Sequence, residues 1–200
     1  KIPFNLSYAI FKSISIIKAA KPKFLILMGG YICFPIALAA KLLGIKIIIH
    51  EQNAIPGLSN KLLSLVAKKI FTGFKTNLKN SQIIGNPIRE NLYNIPGPKQ
   101  RFKNKRGPLN ILIFGGSLGA KQFNELIPSV LSNVSKSKNI NVIHQSGESY
   151  YGLLCKKYKQ YKVNAKPIKY IHDMKKNYAW ADIVIARSGA LTVTELAEIG

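Results

Sequence analysis

The chain has 200 residues, 47% of them hydrophobic, with a mean hydropathy of +0.07, which excludes a disordered chain and allows one buried core or two. Its 30 Lys and Arg against 8 Asp and Glu give a formal charge of +22, a field that favours anionic partners such as phosphates, nucleic acid or acidic lipid headgroups. Apolar runs are cut by Lys, Gly or Pro before they reach bilayer-spanning length, and Cys33 and Cys155 lack the spacing of a zinc site or a disulfide framework.

In chain order, the first segment, 1–20, carries Phe4, Leu6, Tyr8, Ile10, Phe11, Ile14, Ile16 and Ile17 with Lys12, Lys18, Lys21 and Lys23 close by. Two readings fit it: an interfacial helix that seats aromatic rings in a bilayer while lysines meet anionic headgroups, or an ordinary core helix. Strands are then predicted at 24–28, 46–50, 69–72 and 82–84, with helices at 34–43 and 58–67. A second series follows: strands at 109–114, 141–145, 163–168 and 183–186, alternating with helices at 121–133, 150–158, 174–179 and 191–199. Such alternation implies α/β architecture with parallel sheets. Between the series, residues 94–108 are rich in Pro, Gly and charge. They read as a linker between a first domain, 1–93, and a second, 109–200. Two α/β domains so joined would form a cleft at the carboxyl ends of their strands.

Two strand-turn-helix junctions in the second half carry the functional signal. Gly115-Gly116-Ser117-Leu118-Gly119-Ala120 and Arg187-Ser188-Gly189-Ala190-Leu191-Thr192 each follow an apolar strand and open a helix. The free N–H groups of a helix start attract a phosphate. A GGSxG turn is also an ordinary tight turn, so the second junction is the more telling one. Glu195 follows it by about one helical turn, where a carboxylate could accept both hydroxyl protons of a ribose or simply be a favourable charge near a helix N-terminus. In the first half, Gly29-Gly30-Tyr31 repeats the strand-turn-helix logic, and His50-Glu51-Gln52-Asn53 ends an apolar strand with four polar side chains that face a site or cap a turn. Arg89, in Gly85-Asn86-Pro87-Ile88-Arg89, either reaches the cleft or makes a surface ion pair. No cluster has metal-ligand spacing, and no cofactor is expected. Nucleic-acid binding finds no RRM, KH or zinc signature and is not expected.

Taken in order, MGGYICFP at Met28, HEQNAIPGLSNKLL at His50, GNPIR at Gly85, GGSLGAKQFNELIP at Gly115, HQSG at His144, YIHDM at Tyr170 and YAWADIVIARSGALTVTELAEIG at Tyr178 resemble the bacterial undecaprenyldiphospho-muramoylpentapeptide β-N-acetylglucosaminyltransferase family, of glycosyltransferase family 28. The resemblance covers essentially the whole chain. It implies the GT-B architecture of two Rossmann-like domains, both incomplete here, and transfer of N-acetylglucosamine from UDP-N-acetylglucosamine to lipid I, with inversion. Carried over, Asn53 contacts the donor sugar, Arg89 and Ser117 the nucleotide-diphosphate region, and the backbone of Ile171 the uracil. Ala190, Leu191, Thr192, Val193 and Thr194 line the phosphates and sugar, and Glu195 takes the ribose. Gly29, Gly30 and Tyr31 match a loop that binds the acceptor diphosphate. The segment 1–20 falls on the family's membrane-facing patch, which implies a peripheral protein at the cytoplasmic face of the bacterial inner membrane, on an anionic lipid surface.

The family's GGTGGH loop, with the histidine usually taken as general base, would precede Lys1, and a segment with a donor-binding Gln would follow Gly200. The expectation is therefore a fragment or shortened product that binds donor weakly and turns over poorly or not at all, with His50 and Glu51 the only candidates for the base. The alternative is a noncatalytic nucleotide- or membrane-binding remnant.

Overall fold

The computed structural model describes Ile2–Gly200, with side chains from Leu6 onward; Lys1 and the side chain of Phe4 lie outside the described residues. The chain divides into two units, Lys1–Pro87 and Ile88–Gly200. The boundary falls ahead of the 94–108 stretch expected to be a linker. A 3₁₀ turn, Glu90–Asn94, and a short helix that follows it belong to the second unit instead. The reason is apolar anchoring that the Pro- and Gly-rich composition conceals: Leu92 and Ile95 are buried in the second unit's core, and the Arg101 guanidinium donates to the backbone oxygens of Ile199 and Gly200, each at 2.8 Å.

The first unit starts with helix α1 (Ile2–Ala20) and continues β1 (Phe24–Leu27), α2 (Cys33–Leu42), β2 (Lys46–Glu51), α3 (Leu58–Leu63), β3 (Lys69–Thr72) and β4 (Ser81–Ile83). Its sheet has the order β1-β2-β3-β4 and every pairing is parallel. Strand β2 is KIIIHE, and its isoleucines Ile47 and Ile49 are buried beside Leu27, Ala39, Ala40 and Ile70; each such isoleucine contributes roughly 1.5–3 kcal/mol of burial. Helix α3 stops at Leu63 rather than reaching Ala67, because the N–H groups of Leu65 and Val66 turn to the i−3 carbonyls of Leu62 and Leu63.

Helix α1 packs one face on the core and leaves the other exposed. Ile10, Ile14 and Ile17, at the i, i+4, i+7 spacing of one face, pack on the core. Tyr8, Phe11 and Ile16 point to solvent, the first two 67% and 72% exposed. Among the described residues, no helix is long and apolar enough to cross a membrane.

The second unit runs α4 (Pro98–Arg101), β5 (Leu109–Phe114), α5 (Lys121–Val134), β6 (Ile140–Gln145), α6 (Tyr151–Gln160), β7 (Ala165–Ile168), α7 (Met174–Trp180), β8 (Ile183–Ala186) and α8 (Ala190–Ile199). Its sheet, also all parallel, has the order β7-β6-β5-β8. Successive side chains of a strand point to opposite faces. In β5, accordingly, Leu112 and Phe114 enter a core with Tyr178 and Ile199, while Ile111 and Ile113 enter a second core with Leu131, Leu154 and Tyr158. Both faces are covered, which is why this strand reads as an unbroken apolar run rather than an alternating one.

Candidate functional site

In the second unit, β6 and β7 lie on one side of β5 and β8 on the other, so the connections after β5 and β8 diverge. Where strand order reverses in this way, a crevice opens outside the carboxyl ends of the strands. The two glycine turns predicted from sequence sit at that point: Phe114 and Ala186, the last residues of β5 and β8, are register partners. Each turn leads straight into a helix start that has no side-chain cap, so its first N–H groups are left for a ligand. Ser117 is exposed at the tip of the first turn. On α8, the Thr194 hydroxyl donates back to the carbonyl of Ala190 at 2.9 Å.

The first turn is fixed by its neighbours. A Cβ on Gly119 would lie 1.9 Å from the backbone oxygen of Ser146, and one on Gly147 would lie 2.1 Å from that of Leu118, so glycine on both sides lets two loops touch through their backbones. The buried amide of Asn124 donates to the same Ser146 oxygen at 2.9 Å. Gln145 ties a third loop in: its Nε2 donates to the Gly116 carbonyl at 2.7 Å and its Oε1 accepts the N–H of Ile171 at 2.8 Å. The Ile171 N–H is thereby used within the framework. Sequence reasoning passed over Gln145, although its position as the last residue of a strand between two loop motifs was the available signal.

Glu195 is 7% exposed. Its Oε1 lies 2.5 Å from Nη1 of Arg89 and its Oε2 accepts the Tyr178 hydroxyl at 3.0 Å. Arg89 therefore belongs to the second unit, beside the carboxylate expected to hold a ribose. Burial, with the charge of Glu195 adding to it, raises the Tyr178 hydroxyl above its ordinary pKa, so it stays a donor.

In the first unit, β1 and β2 are adjacent and parallel, so the loop with Gly29, Gly30 and Tyr31 and the loop opened by His50, Glu51, Gln52 and Asn53 emerge at one end of the sheet. The start of α3 joins them: the Ser59 hydroxyl donates to the Gly30 carbonyl at 2.9 Å and the Asn60 amide to Glu51 Oε2 at 2.9 Å. Tyr31 is 92% exposed. Glu51 is buried and organises its loop: Oε1 accepts the backbone N–H and the side-chain amide of Asn53 at 2.9 and 3.0 Å, and Oε2 accepts the Gly57 N–H at 3.0 Å as well as Asn60. Burial alone would raise its pKa, but the bonds from Asn53, Asn60 and Gly57 outweigh it and hold the carboxyl below its ordinary value. The Asn53 amide nitrogen thus donates to Glu51. His50 contacts the Gly85 carbonyl through Nε2 at 2.9 Å and Gln52 through Nδ1 at 3.3 Å. Both base candidates are thus engaged in the framework, Glu51 through every acceptor position and His50 through both ring nitrogens.

Known proteins match this arrangement. Residues 1–72 match the glycosyltransferase family 28 N-terminal domain and residues 110–200 the glycosyltransferase family 28 C-terminal domain. A Dechloromonas aromatica protein named UDP-N-acetylglucosamine--N-acetylmuramyl-(pentapeptide) pyrophosphoryl-undecaprenol N-acetylglucosamine transferase is 39% identical over 199 residues, 100% of this chain and 56% of its own length. A Pasteurella multocida protein of the same name is 41% identical over 198 residues, 99% of this chain and 55% of its own length. Among solved structures, Acinetobacter baumannii MurG superposes with a TM-score of 0.78 at 36% identity over 100% of this chain and 56% of its own. A UDP-GlcNAc 2-epimerase from Neisseria meningitidis, bound to UDP-GlcNAc, shares the fold at a TM-score of 0.65 and 13% identity, over 99% of this chain and 63% of its own. The chain spans about half the length of the curated relatives it matches.

Proposed function

We propose that this chain, which belongs to glycosyltransferase family 28, supplies the donor site and part of the acceptor side of an inverting enzyme that transfers N-acetylglucosamine from UDP-N-acetylglucosamine to the 4-hydroxyl of muramoyl-pentapeptide diphospho-undecaprenol, converting lipid I to lipid II. One observation carries the reading: β5 and β8, each followed by a glycine turn and a helix start without a side-chain cap, are paired neighbours at the switch point of the second sheet, with Glu195 on the second of those helices.

Negative charge grows on the diphosphate as it leaves the anomeric carbon. The Ser117 hydroxyl and backbone N–H groups at Ser117 and at Ala190, Leu191 and Thr192, oriented by the fold before substrate arrives, stabilise that charge more in the transition state than in the bound substrate. Arg89 adds a cation, Glu195 grips the ribose, the Ile171 carbonyl meets the uracil, and Val193 and Thr194 complete the wall. In the first unit, Asn53 offers its amide oxygen to the sugar, and the turn of Gly29, Gly30 and Tyr31 takes the acceptor diphosphate.

In this reading the chain works at the cytoplasmic face of the bacterial inner membrane. Support comes from the outward face of α1, where Tyr8, Lys12 and Ile16 border an almost wholly apolar groove of about 510 Å³ that also reaches Ile32 and Pro35. Exposed rings and aliphatic side chains with nearby lysines suit an anionic bilayer surface. Calorimetric titration with UDP-N-acetylglucosamine tests the donor site: binding by the native chain, lost in both Ser117→Ala and Glu195→Ala, is expected. Equal binding by all three proteins would remove the reading.

A further inference from the structure

Burying a carboxylate is costly unless its oxygens are satisfied, and the two groups that satisfy Glu195 differ in kind. Tyr178 is 1% exposed in the core of the second unit and lies edge-on to Phe114, ring centroids 6.1 Å apart. Phe114 is the residue that leads into the first glycine turn, so the phenol is locked to the framework of the site. The Arg89 side chain is 52% exposed. A guanidinium half in water exchanges partners at little cost, because solvent screens and replaces what it loses, whereas a phenol in the core has no alternative.

We propose that Tyr178 is a positioning residue that fixes the Glu195 carboxylate for a ribose, and that Arg89 holds the remaining oxygen only until the ribose of a nucleoside diphosphate displaces it. The inference rests on the donor-site reading above. The exchange keeps Oε1 satisfied, since a hydroxyl donor enters as a guanidinium donor leaves. It also releases a cation within about two turns of the α8 N-terminus, where the diphosphate brings negative charge. A free nucleoside offers no such charge, so displacing Arg89 leaves the guanidinium without an anionic partner. The pair therefore selects for nucleotides over nucleosides beyond any direct phosphate contact.

The test is calorimetric titration of the full chain with UDP, 2′-deoxy-UDP and uridine, in wild type, Tyr178→Phe and Arg89→Gln. Wild type is expected to prefer UDP over 2′-deoxy-UDP by about tenfold, the worth of one charge-assisted hydrogen bond. Tyr178→Phe should collapse that ratio toward unity, because the carboxylate is no longer held for the ribose. Arg89→Gln should weaken UDP yet strengthen uridine, opposite signs from one substitution. A Tyr178 that served only to stabilise the fold would weaken UDP and 2′-deoxy-UDP by the same factor, and that result would overturn the positioning role. Should the phenylalanine variant not fold, 3-fluorotyrosine at position 178 keeps the ring and acidifies the hydroxyl; a larger ratio is expected, and an unchanged one would overturn the role equally. Arg89→Gln weakening UDP and uridine alike would overturn the exchange. Absence of saturable UDP binding by wild type would remove the donor-site reading and this inference with it, whereas saturable binding with an unchanged ratio in Tyr178→Phe would remove this inference alone.

Discussion

Gln145→Ala removes a single buried side chain that joins two of the loops around the proposed nucleotide site. The side chain makes one bond to the Gly116 carbonyl at 2.7 Å and one from the Ile171 N–H at 2.8 Å. Each is worth about 1 kcal/mol net, and the buried Ile171 N–H left without an acceptor adds about 1–3 kcal/mol. The expected loss is roughly 3–5 kcal/mol, which for a chain of this size lowers the melting temperature by on the order of 5–20 °C. Trp180, the one tryptophan of the chain, lies in α7 of the second unit, so its fluorescence in a urea titration reports the unfolding of that unit. Gln145→Glu is a stringent companion: it keeps an acceptor for Ile171 but sets a carboxylate oxygen against the Gly116 carbonyl, and at neutral pH it should be at least as damaging. UDP affinity should fall about tenfold in either variant, since the phosphate turn and the base-binding backbone lose their common tie. A destabilisation below about 0.5 kcal/mol with unchanged UDP affinity would refute the role given to this residue.

Three further outcomes are expected. His144 is fully buried, with Nδ1 2.8 Å from the Tyr158 hydroxyl and Nε2 without a partner among the described residues, and burial pushes its pKa down from 6.5 to about 4. The unfolded chain therefore binds the proton first, so stability should fall as pH drops from 6.5 to about 4 and level off below; the gap, 6.5 minus 4, corresponds to about 3 kcal/mol. Urea titrations at pH 7 and pH 4 should show that acid-side loss shrinking in His144→Leu, and an equal loss in both proteins would contradict it. Glu51→Gln replaces an acceptor of four hydrogen bonds with a group that turns a donor toward some of them, so amide exchange at Asn53 and Gly57 should quicken by about 10- to 100-fold; unchanged protection would show that another group holds the loop. Replacing both Tyr8 and Phe11 by Ser on the outward face of α1 should cut partitioning onto phosphatidylglycerol vesicles by about tenfold or more, and unaltered partitioning would move the membrane contact elsewhere.

The sequence made the second unit legible because strand, glycine turn and helix follow one another at fixed short spacing, and local chemistry of that kind survives folding unchanged. Its pattern located Glu195 and both turns. Their pairing around one ligand was expected, but the sheet order behind it, with β8 beside β5 rather than β7, was not legible, since no local residue pattern records it. The partners of Glu195 were hidden for a similar reason: Arg89 is 106 residues away in the chain, and Tyr178 reads as one more apolar position in a helix. The start of the 94–108 stretch, expected to be a linker, is a different case. Pro96, Gly97 and Pro98 signal a linker, but Leu92 and Ile95 are enough to bind it to a core. At His50-Glu51-Gln52-Asn53 the cost of burying polar groups correctly foretold that they would be paired, while only coordinates reveal that Glu51 spends every acceptor position on its own loop.

The central claim is that one ligand is held by two helix starts at once, and backbone amide resonances read it most directly. In a ¹⁵N-resolved titration with UDP-N-acetylglucosamine, the amides of Gly116, Ser117 and Gly119 and those of Ala190, Leu191 and Thr192 are expected to shift together along one binding curve. Shifts confined to one of the two turns, or two turns responding with different midpoints, would contradict a shared diphosphate site.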